Sequence, residues 1–179
     1  IFFYTIKMKI GLFWGSSTDN TTTATDFIKE YLEMNDHEVE IHNIAEADVD
    51  KILEYDNIII GCPTWHIGEL QEDWDSVFLE YEKLDFNGKT AAFFGCGDQI
   101  GYPANFLDAI GMLAEPFMKK GGKLIGRIPR DNYQFEGSRA LDKDDKLMGL
   151  GLDYDNDDEQ TCEDYMIDWL EEIIEEFPG

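Results

Sequence analysis

The chain has 179 residues, and its 43% hydrophobic content, with twelve Phe and four Trp, is enough to fill one substantial core. Its 39 acidic residues outweigh 14 basic ones for a net charge of −25, which repels phosphate backbones and anionic membrane surfaces and argues against nucleic acid as a partner. Cys62, Cys96 and Cys162 are far apart and lack metal-ligand spacing, so neither a disulfide framework nor a zinc site is supported, and a reducing, cytoplasmic compartment fits best.

The opening Ile1-Phe2-Phe3-Tyr4-Thr5-Ile6-Lys7 is apolar but too short to span a bilayer, and no small-residue cleavage site follows it. Because Met8 immediately precedes the strand-like Ile10-Gly11-Leu12-Phe13-Trp14, residues 1–7 read either as an upstream N-terminal extension or as a stretch foreign to the one domain over 8–179. Apolar runs near 8–14, 39–41, 58–62, 91–95 and 124–128 predict five strands. Longer segments of helical period alternate with them, the pattern of a doubly wound parallel α/β sheet with helices on both faces. The first helix is expected to begin near Thr21, since Ala24, Phe27, Ile28, Tyr31 and Leu32 recur at spacings of three and four. A second is expected from Asp73 to about Leu84. A third should run from about Asn105, with Phe106, Ala109, Ile110, Leu113 and Phe117 as its packing stripe, to Gly121-Gly122. The last helix is the clearest, with Cys162, Tyr165, Met166, Trp169, Leu170, Ile173, Ile174 and Phe177 in phase. Between the fifth strand and that helix, residues 129–160 lack helical period. Tyr133, Phe135, Leu141, Leu147, Leu150 and Leu152 are apolar anchors that predict an ordered surface insertion rather than a second domain.

Three short segments follow apolar runs directly: Gly15-Ser16-Ser17-Thr18-Asp19-Asn20-Thr21, Cys62-Pro63-Thr64-Trp65-His66-Ile67-Gly68 and Gly95-Cys96-Gly97-Asp98-Gln99-Ile100-Gly101-Tyr102. The first leads into a helix and is rich in short donors, which suits a phosphate held by backbone amides and the positive end of the helix dipole. The same residue types also cap ordinary helices. Trp65 and Tyr102 each follow a strand end by a few residues, where a doubly wound sheet opens its crevice, and two rings there can sandwich a flat heterocycle.

The second and third segments carry a specific resemblance. Ile59-Ile60-Gly61-Cys62-Pro63-Thr64-Trp65, Ile67-Gly68-Glu69-Leu70-Gln71, Asp73 and Trp74 resemble the long-chain, cyanobacterial type of flavodoxin. So do Phe94-Gly95, Gly97-Asp98-Gln99-Ile100-Gly101-Tyr102 and Asn105-Phe106, while Tyr133, Phe135, Ser138, Ala140-Leu141, Gly149-Leu150 and Leu152-Asp153 match the insertion that distinguishes long from short members. The resemblance implies strand order 2-1-3-4-5 and a low-potential one-electron carrier rather than an enzyme, with bound flavin mononucleotide (FMN) shuttling between semiquinone and hydroquinone in place of ferredoxin. By matched positions, Ser16, Ser17, Thr18, Asp19, Asn20 and Thr21 would hold the phosphate. Trp65 and Tyr102 would flank the ring, and Pro63, Thr64, His66, Ile67, Gly68, Cys96, Gly97 and Asp98 would line it, with Asn105 and Asp155 as further contacts. No catalytic residue or metal is implied. The implied partners are basic redox proteins: ferredoxin–NADP reductase, photosystem I and ferredoxin-dependent reductases, met by a monomer in transient complexes.

Two positions depart from the family pattern. Asp19 stands where the phosphate loop usually has Gly, and an outward or helix-capping carboxylate with the loop path retained is expected. His66 stands where long-chain relatives commonly place Asn beside the ring. Two other readings are an NAD(P)H-dependent FMN quinone reductase of the same fold and a flavin-free regulatory module.

Overall fold

Residues 6–179 are described by the computed structural model, so most of the opening segment, residues 1–5, lies outside the described residues. Strands β1 (Lys9–Trp14), β2 (Glu38–Asn43) and β3 (Asn57–Gly61) surround helix α1 (Asp19–Met34) in sequence, and a 3-10 helix spans Val49–Glu54. A small hairpin of β4 (Thr64–Trp65) and β5 (Glu69–Leu70) precedes α2 (Glu72–Tyr81). Then come β6 (Thr90–Cys96), α3 (Asp108–Lys119), β7 (Lys123–Ile125), β8 (Ile128–Pro129), β9 (Lys146–Leu147), β10 (Leu150–Leu152) and α4 (Glu159–Glu176).

The main sheet is parallel, ordered β2-β1-β3-β6, with the position beyond β6 shared by two segments. β7 pairs with the first half of β6 (Thr90↔Lys123, Ala92↔Ile125) and β10 with the second (Phe94↔Leu150, Cys96↔Leu152). Counted by position this is the 2-1-3-4-5 order, with the fifth strand in two pieces. The central strands are apolar along their length because helices cover both faces; β3 and β6 are buried at every residue. Ile58, Ile59, Ile60, Phe93 and Phe94 carry the core between helices whose inner faces are Ile28 and Leu32, Leu113 and Phe117, and Trp169 and Ile173.

The expected fifth strand over 124–128 is corrected: it stops at Ile125. Gly126 adopts φ +74°, a left-handed conformation that ends extended pairing, and the Trp169 indole donates to its carbonyl at 3.1 Å. Any Cβ at 126 would sit 2.6 Å from that indole nitrogen. Ile128 instead pairs with Leu147 in a separate antiparallel ladder. The insertion is therefore not wholly a surface feature, since it returns β10 into the main sheet with Leu150 and Leu152 buried. α3 begins at Asp108 rather than near Asn105, because Leu107 takes φ +59° and forms a turn before it.

Candidate functional site

A cleft of about 440 Å³ opens at the carboxyl ends of β1, β3 and β6. This is the crevice where the chain leaves β1 for β2 on one side and later returns past β1 to β3 and β6 on the other, the switch point of a doubly wound sheet. Its volume lies in the range of small-molecule sites.

Of the residues expected from sequence, Thr18, Asn20, Pro63, Thr64, Trp65, His66, Cys96, Gly97, Asp98, Tyr102, Asn105 and Asp155 line this one cleft. Ser16, Ser17, Asp19, Thr21, Ile67 and Gly68 are not part of its lining. Phe106 and Tyr154 line it as well, and neither is among the site residues expected from sequence. In sequence Phe106 reads as helix packing, because it falls in phase with the α3 stripe. Tyr154, between two acidic residues, carried no signal beyond lying next to Asp155.

The first wall is the loop from Gly15 into α1. Gly15 N–H donates to Gly61 O at 3.2 Å, which ties the loop to β3. Ser16 Oγ accepts from Thr18 N–H at 3.2 Å and donates to the Thr18 carbonyl, so a local turn shapes the approach to the helix. Thr18 is the N-cap but makes no side-chain capping bond, and the first-turn amides of α1 have no intrahelical acceptor. Thr18 and Asn20 face the cleft while Asp19, between them, is exposed. Thr21 turns inward, fully buried, and its hydroxyl contacts Cys96 Sγ at 3.7 Å. Burial pushes the Cys96 thiol up to about 12, which leaves it a packing group. The buried Gln71 side chain, donating to Ser17 Oγ at 3.1 Å, holds this wall to the next.

The second wall is the β4–β5 hairpin. Trp65 pairs with Glu69 across it, and the three residues between turn through left-handed conformations at His66 (φ +46°) and Gly68 (φ +76°). Glycine adopts that conformation freely, whereas a histidine there stores local strain. The Trp65 indole N–H is buried with no acceptor among the described residues. Thr64 Oγ1 accepts from Ala109 N–H at 3.1 Å, fixing the hairpin to the first turn of α3.

The third wall follows β6. Asp98 accepts from the amides of Gly101 (2.7 Å) and Ile100 (3.1 Å) and from the Asn156 side chain (2.9 Å). These bonds, the Gly101 amide foremost, hold its carboxyl below the usual carboxylate range. The resulting turn presents Tyr102, 48% exposed, at the rim. Asp155 is pushed up instead, first by burial and then by the charges of Asp98 and Asp153. The cleft thus joins a helix N-terminus to two aromatic rings, with the carboxylates of Asp98 and Asp155 in its lining. Its residues fit a ligand with an anionic end and a flat ring: unpaired amides at one end, an indole and a phenol at the other. Among the described residues, no group of His, Cys, Asp and Glu is arranged to hold a metal ion.

The family model for flavodoxin matches residues 12–167. The chain is 44% identical over 172 residues to a flavodoxin of Nostoc sp., covering 96% of this chain and 99% of that one. It is 46% identical over 165 residues to a flavodoxin of Synechocystis sp., covering 92% of this chain and 95% of that one. It is similar in structure to the Fusobacterium nucleatum flavodoxin bound to flavin mononucleotide, with a TM-score of 0.88 at 28% identity over 96% of this chain and 99% of that chain. With the cleft at the same switch point the sheet order dictates, and with matches that run through nearly all of the sequence, the chain belongs to the flavodoxin family.

Proposed function

We propose that residues 8–179 form one FMN-binding domain whose cleft holds the phosphate at the α1 N-terminus and the ring between Trp65 and Tyr102. The single observation that supports this reading most is the convergence, in one crevice, of Thr18 and Asn20 with those two aromatics. Bound FMN supplies reversible one-electron chemistry, which suits an electron carrier. The chain's own residues bind and orient it. The backbone amides entering α1, with Ser16, Ser17, Thr18, Asn20 and Thr21 shaping their path, take the dianion. The hairpin residues Pro63 to His66 and the turn residues Cys96 to Asp98 form the sides of the ring site, with Ile67 and Gly68 completing the hairpin turn behind them. Asp98 and Asp155 place negative charge beside it, which makes a further negative charge on the ring costly and favours a strongly reducing carrier.

The partners of such a carrier are redox proteins. With a net charge of −25 the chain attracts basic surfaces at long range, so ferredoxin–NADP reductase, photosystem I and ferredoxin-dependent reductases are the proposed partners. Like-charged copies repel, which supports a monomer, and the three free cysteines support a cytoplasmic setting. No helix among the described residues is long and apolar enough to cross a membrane.

Titrating the FMN-free chain with FMN and with riboflavin, following quenching of Trp65 and flavin fluorescence, tests the site. FMN is expected to bind at least tenfold more tightly than riboflavin, because only FMN engages the helix terminus. Equal affinities would remove the phosphate assignment to residues 16–21.

A further inference from the structure

Asp108, the first residue of α3, does not line the cleft, yet it touches three pieces of chain that surround it. Its Oδ2 accepts from the Asn105 side-chain amide at 2.9 Å, and its Oδ1 accepts from the backbone N–H of Arg139 at 2.7 Å. The same carboxylate packs on the hairpin, for a Cβ on Gly68 would lie 2.4 Å from Asp108 Oδ2. One side chain thereby meets the tyrosine loop, the insertion and the hairpin loop.

The insertion is clamped here by more than that bond. Glu136 and Gly137 N–H donate to the Pro103 carbonyl at 2.8 and 2.9 Å, and Phe106 N–H donates to the Gly137 carbonyl at 3.3 Å. The Arg139 guanidinium pairs with Glu115 of α3 at 3.0 Å, and the helix can approach the Arg139 carbonyl only because position 111 is glycine, where a Cβ would sit 2.5 Å from it. Residues 136–140 therefore lie along the outside of the Tyr102–Phe106 loop as a brace. Asp108 also dictates a chemical choice at Asn105. An acceptor at 2.9 Å obliges Asn105 to turn its NH2 outward, leaving its oxygen as the remaining polar end of a side chain that does line the cleft.

We propose that Asp108 is a positioning residue that couples the insertion to the cofactor cleft: it orients Asn105, braces the tyrosine loop through Arg139 and seats the hairpin loop at Gly68. The insertion then serves to hold the ring site in shape rather than to form a site of its own. This rests on the FMN reading of the cleft, but the coupling is legible without FMN.

The test uses the full chain, with and without FMN, as wild type, Asp108→Ala and Asp108→Asn. Hydrogen exchange reports the coupling, and the two one-electron potentials of the FMN-loaded chain report the ring site. In Asp108→Ala, amides of residues 66–69 and 102–106 should exchange about tenfold faster or more, the loss expected for a charge-assisted bond, while the β1, β3 and β6 amides keep their protection. The separation between the two potentials should change with it. Asp108→Asn, which retains an acceptor for Arg139 but no longer fixes the Asn105 amide, should keep the Arg139 amide protected and still shift the potentials. It also answers the question if the alanine variant does not fold. Wild-type exchange in both segments, uniformly faster exchange throughout, or unchanged potentials in both variants would each overturn the proposal. If the wild-type chain takes up no FMN, the reading of the cleft fails instead, and the exchange pattern alone decides whether Asp108 couples these segments.

Discussion

Asp19 shows how a residue out of keeping with its loop is accommodated. Thr18 and Asn20 turn toward the cleft and Asp19, between them, is exposed at the first position of α1, where a carboxylate favours the helix dipole without meeting a ligand. The outward direction was legible in the sequence from the helix start; which neighbours face inward was not, because it depends on the turn set by Ser16. His37 is a different residue-scale case. It is 4% exposed, its Nδ1 accepts from Met8 N–H at 3.3 Å, and its Nε2 is buried with no partner among the described residues. Burial lowers its pKa, opposed by the charge of Asp36, so the fold holds the neutral ring while the unfolded chain protonates near 6.5. A depressed pKa contributes stability that is present above about 6.5 and lost as pH falls below it. Urea unfolding of wild type and His37→Gln should show the wild type losing ground to the variant between about pH 7 and 5. A constant difference across that range would mean the ring is not held neutral.

At the scale of elements, the first four strand positions and all four helices could be read from periodicity because each buries a continuous apolar face. The fifth strand could not. Leu124, Ile125 and Ile128 read as one apolar run, but Gly126 interrupts it, and Leu150–Leu152, which looks like a loop with anchors, takes over the pairing with β6. Hydrophobic period carries no sign that two segments 25 residues apart, ending at Ile125 and beginning at Leu150, share one ladder position. The edge this leaves on β10 is closed by a side chain. Tyr133 Oη donates to the Gly151 carbonyl at 2.9 Å and accepts from the Gly151 N–H at 3.1 Å, serving both backbone groups that a neighbouring strand would otherwise satisfy. Tyr133→Phe strands a buried donor and a buried acceptor together. It should lower the unfolding free energy by about 2 kcal/mol with an unchanged urea slope. A loss within about 0.5 kcal/mol, the usual range of a surface substitution, would mean that water replaces the hydroxyl there.

Across the whole molecule, the site is built from parts that no single segment contains. The helix terminus, the hairpin and the turn after β6 are brought to one crevice only because β1, β3 and β6 lie side by side, which explains why three separate loops could be nominated from sequence while Phe106 and Tyr154 were passed over. The nominated residues announce themselves by type. The other two are placed by the fold, one by the left-handed turn at Leu107 and one by the return of β10 to the sheet. The net charge of −25 acts at the same scale, raising a long-range field that favours basic surfaces at low ionic strength and setting an electrostatic cost on reduction of anything bound in the cleft. The measurement that bears most directly on the one-electron role is the visible spectrum of the FMN-loaded chain during stepwise anaerobic reduction. Two well-separated one-electron steps, with a long-wavelength-absorbing intermediate accumulating between them, are predicted. Conversion in a single two-electron step, or a chain that takes up no FMN, would contradict it.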